Sequence, residues 1–194
     1  MRYDKGRKDA SRGRIMEAAV ERFRSDGIAA SGLATIMGDA GMTNGAFYPH
    51  FQSKAELVRE SVAAAMEIQS QQVQEALATG GPELALEAYL SAEHRDNPGK
   101  GCASAALLPE LARQPPETRE VYTEHLLSLV RQLSSALPSS KDPEGVALGV
   151  FATLFGTLQL SRAVEGTDLS DRILAAGKDA ARTLMRPPQD EAAA

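Results

Sequence analysis

Tryptophan is absent from this chain of 194 residues, and cysteine occurs once, at Cys102. A single thiol excludes an intramolecular disulfide and any multi-cysteine zinc site, and it fits a reducing compartment. Long apolar runs are also missing. No stretch approaches the roughly 18 uninterrupted apolar residues a transmembrane helix needs, and no apolar signal segment follows the charged first residues. The expectation is a cytoplasmic protein with no membrane role. No segment alternates apolar and polar residues as a half-buried strand does, and no internal repeat is visible. What remains is ordinary globular material, 43% hydrophobic and 24% charged. That is enough to bury a core in one domain, or in a small domain fused to a larger one.

Charge is unevenly placed. The net charge is −5, yet residues 1–60 carry 10 Lys/Arg against 8 Asp/Glu, while the rest carries 11 against 18. Within residues 1–14, Arg2, Lys5, Arg7, Lys8, Arg12 and Arg14 face only Asp4 and Asp9. Such a basic arm suits phosphates; its other reading is a solvated tail.

Helical punctuation organises the chain. Ile15, Ala19, Val20 and Phe23 recur at helical spacing until Asp26-Gly27 supplies a stop. Ser31 can cap a helix of about two turns that points Leu33, Ile36 and Met37 one way and ends at Gly41. Thr43 offers the next cap, and Pro49 keeps that helix equally short. Ser53 and Glu56 then make a capping box for a long helix carrying Leu57, Val58, Ser61, Val62, Ala65 and Met66 on one face. Breaks are expected at Gly80-Gly81-Pro82, Asn97-Pro98-Gly99, Pro115-Pro116, Pro138–Pro143 and Gly166. The fold class is all-α, with about nine helices. Residues 1–55 hold the basic arm and a three-helix unit, residues 56–188 a larger helical domain, and residues 189–194 a frayed tail.

Two short helices joined at a glycine and preceded by a bracing helix form the pattern of a helix-turn-helix, whose second helix enters the DNA major groove. In "AGMTNGAFYPHF", residues 40–51, Gly41 allows a sharp turn and Phe47 and Phe51 anchor the short helix inward. Gly45 and Ala46 keep the outer face low. Thr43, Asn44, Tyr48 and His50 are then left to meet base edges and phosphates, with Lys54 at the start of the next helix. The segment closely resembles the DNA-binding region of the tetracycline-repressor (TetR) family of bacterial transcription regulators. Its pattern G-x-x-Y-x-H/Y-F-x-S/N-K-x-x-L is met by Gly45, Tyr48, His50, Phe51, Ser53, Lys54 and Leu57. The resemblance is strong over residues 10–60; beyond them, length, helix count and an apolar helix support it.

The resemblance implies that Thr43, Asn44 and Gly45 open a recognition helix, that Tyr48 and His50 touch the DNA backbone, and that Lys54 holds a phosphate. Gly32 stands where the family usually has Thr or Ser, so the phosphate contact there passes to Ser31. Arg12 and Arg14 of the basic arm join the set. Asn44 is the candidate base reader, since a carboxamide can bond adenine through two hydrogen bonds for about 1–3 kcal/mol of discrimination.

Recognition elements of this size read few base pairs, so two copies on a palindromic operator are expected. A homodimer would form through the last two helices, near 144–163 and 168–185. The first of these is apolar nearly all round, with Gly149, Ala152, Thr153, Gly156 and Thr157 small enough for close packing. The family likeness also implies a small-molecule effector. Its candidate lining is Met66, Tyr89, Cys102, Leu107, Leu111, Tyr122, His125, Phe151 and Phe155, a mainly apolar set suited to an apolar or amphiphilic ligand. Each of these residues can equally be plain core. The function implied is a ligand-responsive dimeric regulator, with repression as the expected mode. The alternative on the same scaffold is a thiol-based sensor, with Cys102 in the first turn of a helix near Lys100. No catalytic residue, metal site or cofactor is expected, because neither His94 nor His125 has a ligand partner at helical spacing and no nucleophile has an oriented base.

Overall fold

The structure, a computed structural model, describes residues 2–137 and 142–186. Eight α-helices and two short 3-10 turns are the regular elements among the described residues. They run α1 (Arg2–Asp26), α2 (Leu33–Asp39), a 3-10 turn (Asn44–Ala46), α3 (Lys54–Tyr89), α4 (Ala92–Asp96), a 3-10 turn (Pro98–Lys100), α5 (Ala103–Leu111), α6 (Pro116–Ala136), α7 (Pro143–Ala163) and α8 (Thr167–Met185). The expected break at Gly80-Gly81-Pro82 is a kink inside α3: Gly81 has φ 68° and ψ −167°, a conformation open to glycine and to little else. The tail expected at 189–194 and most of the loop expected at 138–143 lie outside the described residues. The basic arm is helical, as the first turns of α1.

Two compact units emerge, one formed by residues up to Ile68 together with Pro98–His125, the other by Gln69–Asn97 with residues from Leu126 onward. A cut at 55/56 is what the sequence suggests; the compact units take α3 to Ile68 and draw in α5. In the first unit Ile15, Ala19 and Phe23 of α1, Ile36 and Met37 of α2, Phe47, Phe51, and Leu57 and Val58 of α3 are all buried. Those on α1, α2 and α3 sit where the 3.6-residue period places an inward side chain.

In the second unit α7 packs along α8, and α4 touches α7. Asp142 caps α7 by accepting the Gly145 N–H at 2.8 Å, with Pro143 in the first helical position. By length and composition α7 could cross a membrane, with a mean hydropathy of 1.3, but seven of its residues, from Ala147 to Ser161, are buried within the fold. The Arg162 guanidinium donates to the carbonyls of His94 and Arg95 at 2.7 and 2.9 Å, holding the end of α4 against α7. Arg182 and Lys178 of α8 pair with Glu83 and Glu87 in the last turns of α3.

On α8 the packed face and the apolar exposed residues lie on different sides. Ser170, Leu174, Gly177 and Ala181 are buried, while Leu169, Ala180 and Leu184 are exposed. At Gly177 a Cβ would collide with the Thr157 side chain of α7. Gly177→Val is therefore expected to overpack the α7–α8 contact and lower stability by about 1–3 kcal/mol. Urea denaturation midpoints of the two proteins check it; equal midpoints would show that α7 and α8 separate at no cost.

Candidate nucleic-acid interface

The stretch between α2 and α3 is a run of tight turns. Gly41, with φ 69°, ends α2 in a left-handed residue, and the Met42 N–H donates to the Met37 carbonyl at 2.8 Å. The recognition element is tighter than the two-turn α-helix expected. The Ala46 and Phe47 N–H groups donate to the carbonyls of Thr43 and Asn44 in 3-10 fashion, and one further turn closes from His50 and Phe51 back to the Phe47 carbonyl. Pro49, which has no N–H to give, explains why regular α-helix never develops. Phe47 and Phe51 are each 1% exposed and stack at 5.5 Å between ring centroids. With these two rings inward, Thr43, Asn44 and Gly45 are exposed and Tyr48 is 70% exposed.

Other expected contacts are engaged within the protein. Ser31 is a correction: it is 2% exposed and its hydroxyl donates to the Gly27 carbonyl at 2.6 Å. It fastens the loop after α1, and Gly32 stands at the cap of α2 with no side chain to offer. Thr43 holds the cap position of the recognition turn without a side-chain bond, leaving its hydroxyl outward. Arg12 also differs from expectation, because its guanidinium pairs with Glu60 of α3 and lies 4.6 Å from the Phe51 ring centroid. It braces α1 on α3 and the recognition turn. Arg14 is exposed. Lys54 is half-buried and donates to the Ile28 carbonyl at 2.7 Å. The Ser53 hydroxyl accepts the Glu56 N–H at 3.1 Å, and Glu56 in turn accepts the Gln52 N–H at 2.6 Å, a capping pair one residue wider than expected.

Burial, reinforced by the positive charges of Lys8 and Arg12, holds the His50 imidazole below its ordinary value, so it is neutral at pH 7. Lys8, four residues before Arg12 on α1, is thus a second cation whose charge reaches His50.

Sequence reasoning also missed what holds this region from behind. Arg22 of α1 donates to Asp39 of α2 at 2.5 Å and to Asp26 at 2.9 Å, and it keeps Asp39 well below the usual carboxylate range. Glu110 of α5 accepts the N–H groups of Ile28 and Ala29 at 3.0 and 2.8 Å. Arg24 donates to the Gly101 carbonyl at 2.9 Å. The Arg22–Asp26 spacing of four was readable on a helix; Glu110 had no local signal, because its partners are main-chain atoms some 80 positions away.

The candidate effector residues fall in both units. In the first, Met66, Cys102, Leu107 and Leu111 are buried, and Tyr122 and His125 are half-buried. Tyr122 donates to the Ser104 hydroxyl at 3.2 Å, and Ser104, with no exposure, points its own hydroxyl at the Met66 sulfur at 3.6 Å. Burial pushes the Tyr122 phenol up, against the pull of that Ser104 bond. In the second, Tyr89, Phe151 and Phe155 form an aromatic group, with centroids 6.2 Å apart for Tyr89–Phe155 and 5.6 Å for Phe151–Phe155. Cys102 precedes α5 as its cap and is not in the first turn: its sulfur accepts the Ala105 N–H at 3.4 Å, and it is 5% exposed.

Residues 15–61 match the profile of the bacterial regulatory proteins of the tetR family. Over 59 residues the chain is 44% identical to the HTH-type transcriptional regulator TtgR of Pseudomonas putida, and equally to the probable HTH-type transcriptional regulator ArpR of the same species. The matched region is 30% of this chain and spans 28% of those relatives' length. Along most of its length the chain shares the fold of solved structures. A TetR-family regulator from Cytophaga hutchinsonii superimposes with TM-score 0.75 at 18% identity, covering 91% of this chain and 96% of that one. The reduced form of Escherichia coli NemR gives 0.72 at 19%, covering 87% and 95%, and Bacillus subtilis FadR in complex with stearoyl-CoA gives 0.65 at 17%, covering 91% and 98%. Residues 15–61 thus carry the tetR-family regulatory segment, and the all-helical chain around them has a fold that solved regulators of that name share.

Proposed function

We propose that the chain is a dimeric transcriptional regulator, acting as a repressor, that binds a palindromic DNA operator through residues 43–54 and is released by a small apolar or amphiphilic effector. One observation carries this reading. Asn44 and Tyr48 stand outward on a short turn whose two phenylalanines are wholly buried. Asn44 serves base recognition, Thr43, Tyr48 and neutral His50 serve the phosphate backbone, and Lys8, Arg14 and Lys54 supply charge around them. The names of the two Pseudomonas relatives support the regulatory role. The effector class is supported by the apolar candidate residues and by FadR, a protein of the same fold whose structure contains the amphiphile stearoyl-CoA. Release follows by population shift, when an effector prefers a conformation whose recognition turns are wrongly spaced.

Dimerisation rests on an exposed strip. On α7, Leu148, Ala152, Gly156 and Leu160 are exposed at intervals of four, and on α8 Leu169, Ala176, Ala180 and Leu184 are exposed beside them. Small residues flanked by leucines suit helix-on-helix packing about a two-fold axis. The second reading, a thiol sensor at Cys102, draws on the thiol's place at the start of α5 next to Arg24, whereas its burial argues against ready attack.

Three outcomes are expected. On a duplex selected by the wild-type protein from a random library, Asn44→Ala should bind about tenfold or more weakly, and Tyr48→Ala should weaken binding to selected and unselected duplexes alike. Fluorescence anisotropy titrations measure both, and unchanged affinity in both would refute the interface. Leu160→Asp should shift the protein from dimer to monomer in sedimentation velocity; a wild type that sediments as a monomer rejects the interface outright. The third concerns pH. Because folding lowers the His50 value, the unfolded chain binds a proton that the folded chain refuses. Stability is therefore full above the ordinary value of 6.5 and declines as pH falls through it. His50→Gln should lose less stability than wild type between pH 7.5 and 5.5, read as the change in urea midpoint.

A further inference from the structure

We propose that Glu110, which lies outside the matched family segment, is a positioning residue for DNA binding. This rests on the DNA-binding reading above. Its carboxylate straddles two successive peptide groups, Oε1 accepting the Ile28 N–H at 3.0 Å and Oε2 the Ala29 N–H at 2.8 Å. The other face of Ile28 is gripped as well, since its carbonyl accepts from Lys54 Nζ at 2.7 Å. One residue of the loop between α1 and α2 is thus held from one side by α5 and from the other by the first residue of α3, which follows the recognition turn. The loop itself has little slack. Gly27 closes α1 with φ +85°, a Cβ there would strike the Glu110 carboxylate, and the Ser31 hydroxyl ties back to the Gly27 carbonyl at 2.6 Å.

The far end of the α5 segment is fastened to the same part of α1. Arg24 donates to the Gly101 carbonyl at 2.9 Å, and Gly99 is buried so closely on Ser25 and Glu21 that a Cβ would lie 2.5 Å from the Ser25 hydroxyl. Residues 99–110 therefore clasp the last turn of α1 at both ends. Any displacement of α5 pulls on Ile28 and Ala29, and through the Ile28 carbonyl on Lys54. Glu110 is the piece of this clasp that a single substitution can open without removing a core side chain.

Charge makes the test discriminating. Glu110 is an anion, so neutralising it should, on electrostatics alone, tighten binding to DNA. Positioning predicts the opposite. A glutamine keeps one acceptor oxygen but sets an N–H₂ group against a backbone N–H, so one of the two bonds is lost and a donor is left facing a donor.

The experiment uses the full chain and a duplex that the wild-type protein selects from a random library. Affinities of wild type, Glu110→Gln, Glu110→Asp, Lys54→Met and the Gln/Met double variant are titrated over a range of salt, well below the thermal midpoint. Amide hydrogen exchange is followed at Ile28 and Ala29. Glu110→Gln is expected to weaken binding about fivefold or more with an unchanged salt slope. Its Ile28 and Ala29 amides should exchange faster, and adding Lys54→Met should cost less than the product of the single effects. Glu110→Asp, too short to span both amides, should move the same way, and it decides the question if the glutamine variant does not fold. Binding equal to or tighter than wild type in the folded variants overturns the proposal. A wild type that selects no duplex overturns the DNA-binding reading and the proposal with it, whereas faster exchange without loss of affinity overturns the proposal alone.

Discussion

Burial of two phenylalanine rings decides what this molecule can present to a partner. Phe47 and Phe51, four positions apart, both point inward and stack on each other, with the Arg12 guanidinium of α1 over the Phe51 ring. Fully burying such a ring is worth about 1.5–3 kcal/mol relative to leaving it in water, more than any exposed ion pair here can contribute. Once the rings are inside, geometry leaves no choice for their neighbours. Asn44, Gly45 and Tyr48 must face solvent, and Arg12 can lie against Phe51 while it pairs with Glu60. The exposed set is the outer side of a packing solution.

Much of this was legible beforehand, for a physical reason. Buried faces of α1, α2 and the start of α3 obey helical periodicity, and turn positions such as Gly41 need a residue without a Cβ. Ile15, Phe23, Ile36, Phe47 and Leu57 could therefore be assigned to the interior from spacing alone. The sequence was less informative where a side chain had two plausible partners. Ser31 and Thr43 both look like helix caps; the first bonds backward to Gly27 and the second makes no cap bond. On α8 periodicity is ambiguous for another reason. Leu169, Ile173 and Leu184 are as apolar as the residues that pack, so periodicity finds a face without saying whether the same chain covers it.

Long-range polar contacts were the least readable. Arg24 with Gly101, and Glu110 with Ile28 and Ala29, join a side chain to backbone atoms from about 77 to 82 positions away. A side chain that bonds a peptide group needs no complementary residue type, so nothing in the local pattern announces the pair. The same holds for Arg162, which serves two carbonyls at the end of α4.

The grip on Ile28 and Ala29 has an evolutionary corollary. Because it is made to N–H and C=O groups, every amino acid at 29 except proline offers the same handle, and Ala29 is exposed enough to vary. Drift at that site would leave the linkage whole. A joint written in main-chain atoms gives its acidic partner nothing with which to co-vary, so comparison of related sequences would display a solitary carboxylate and stay silent about what it holds.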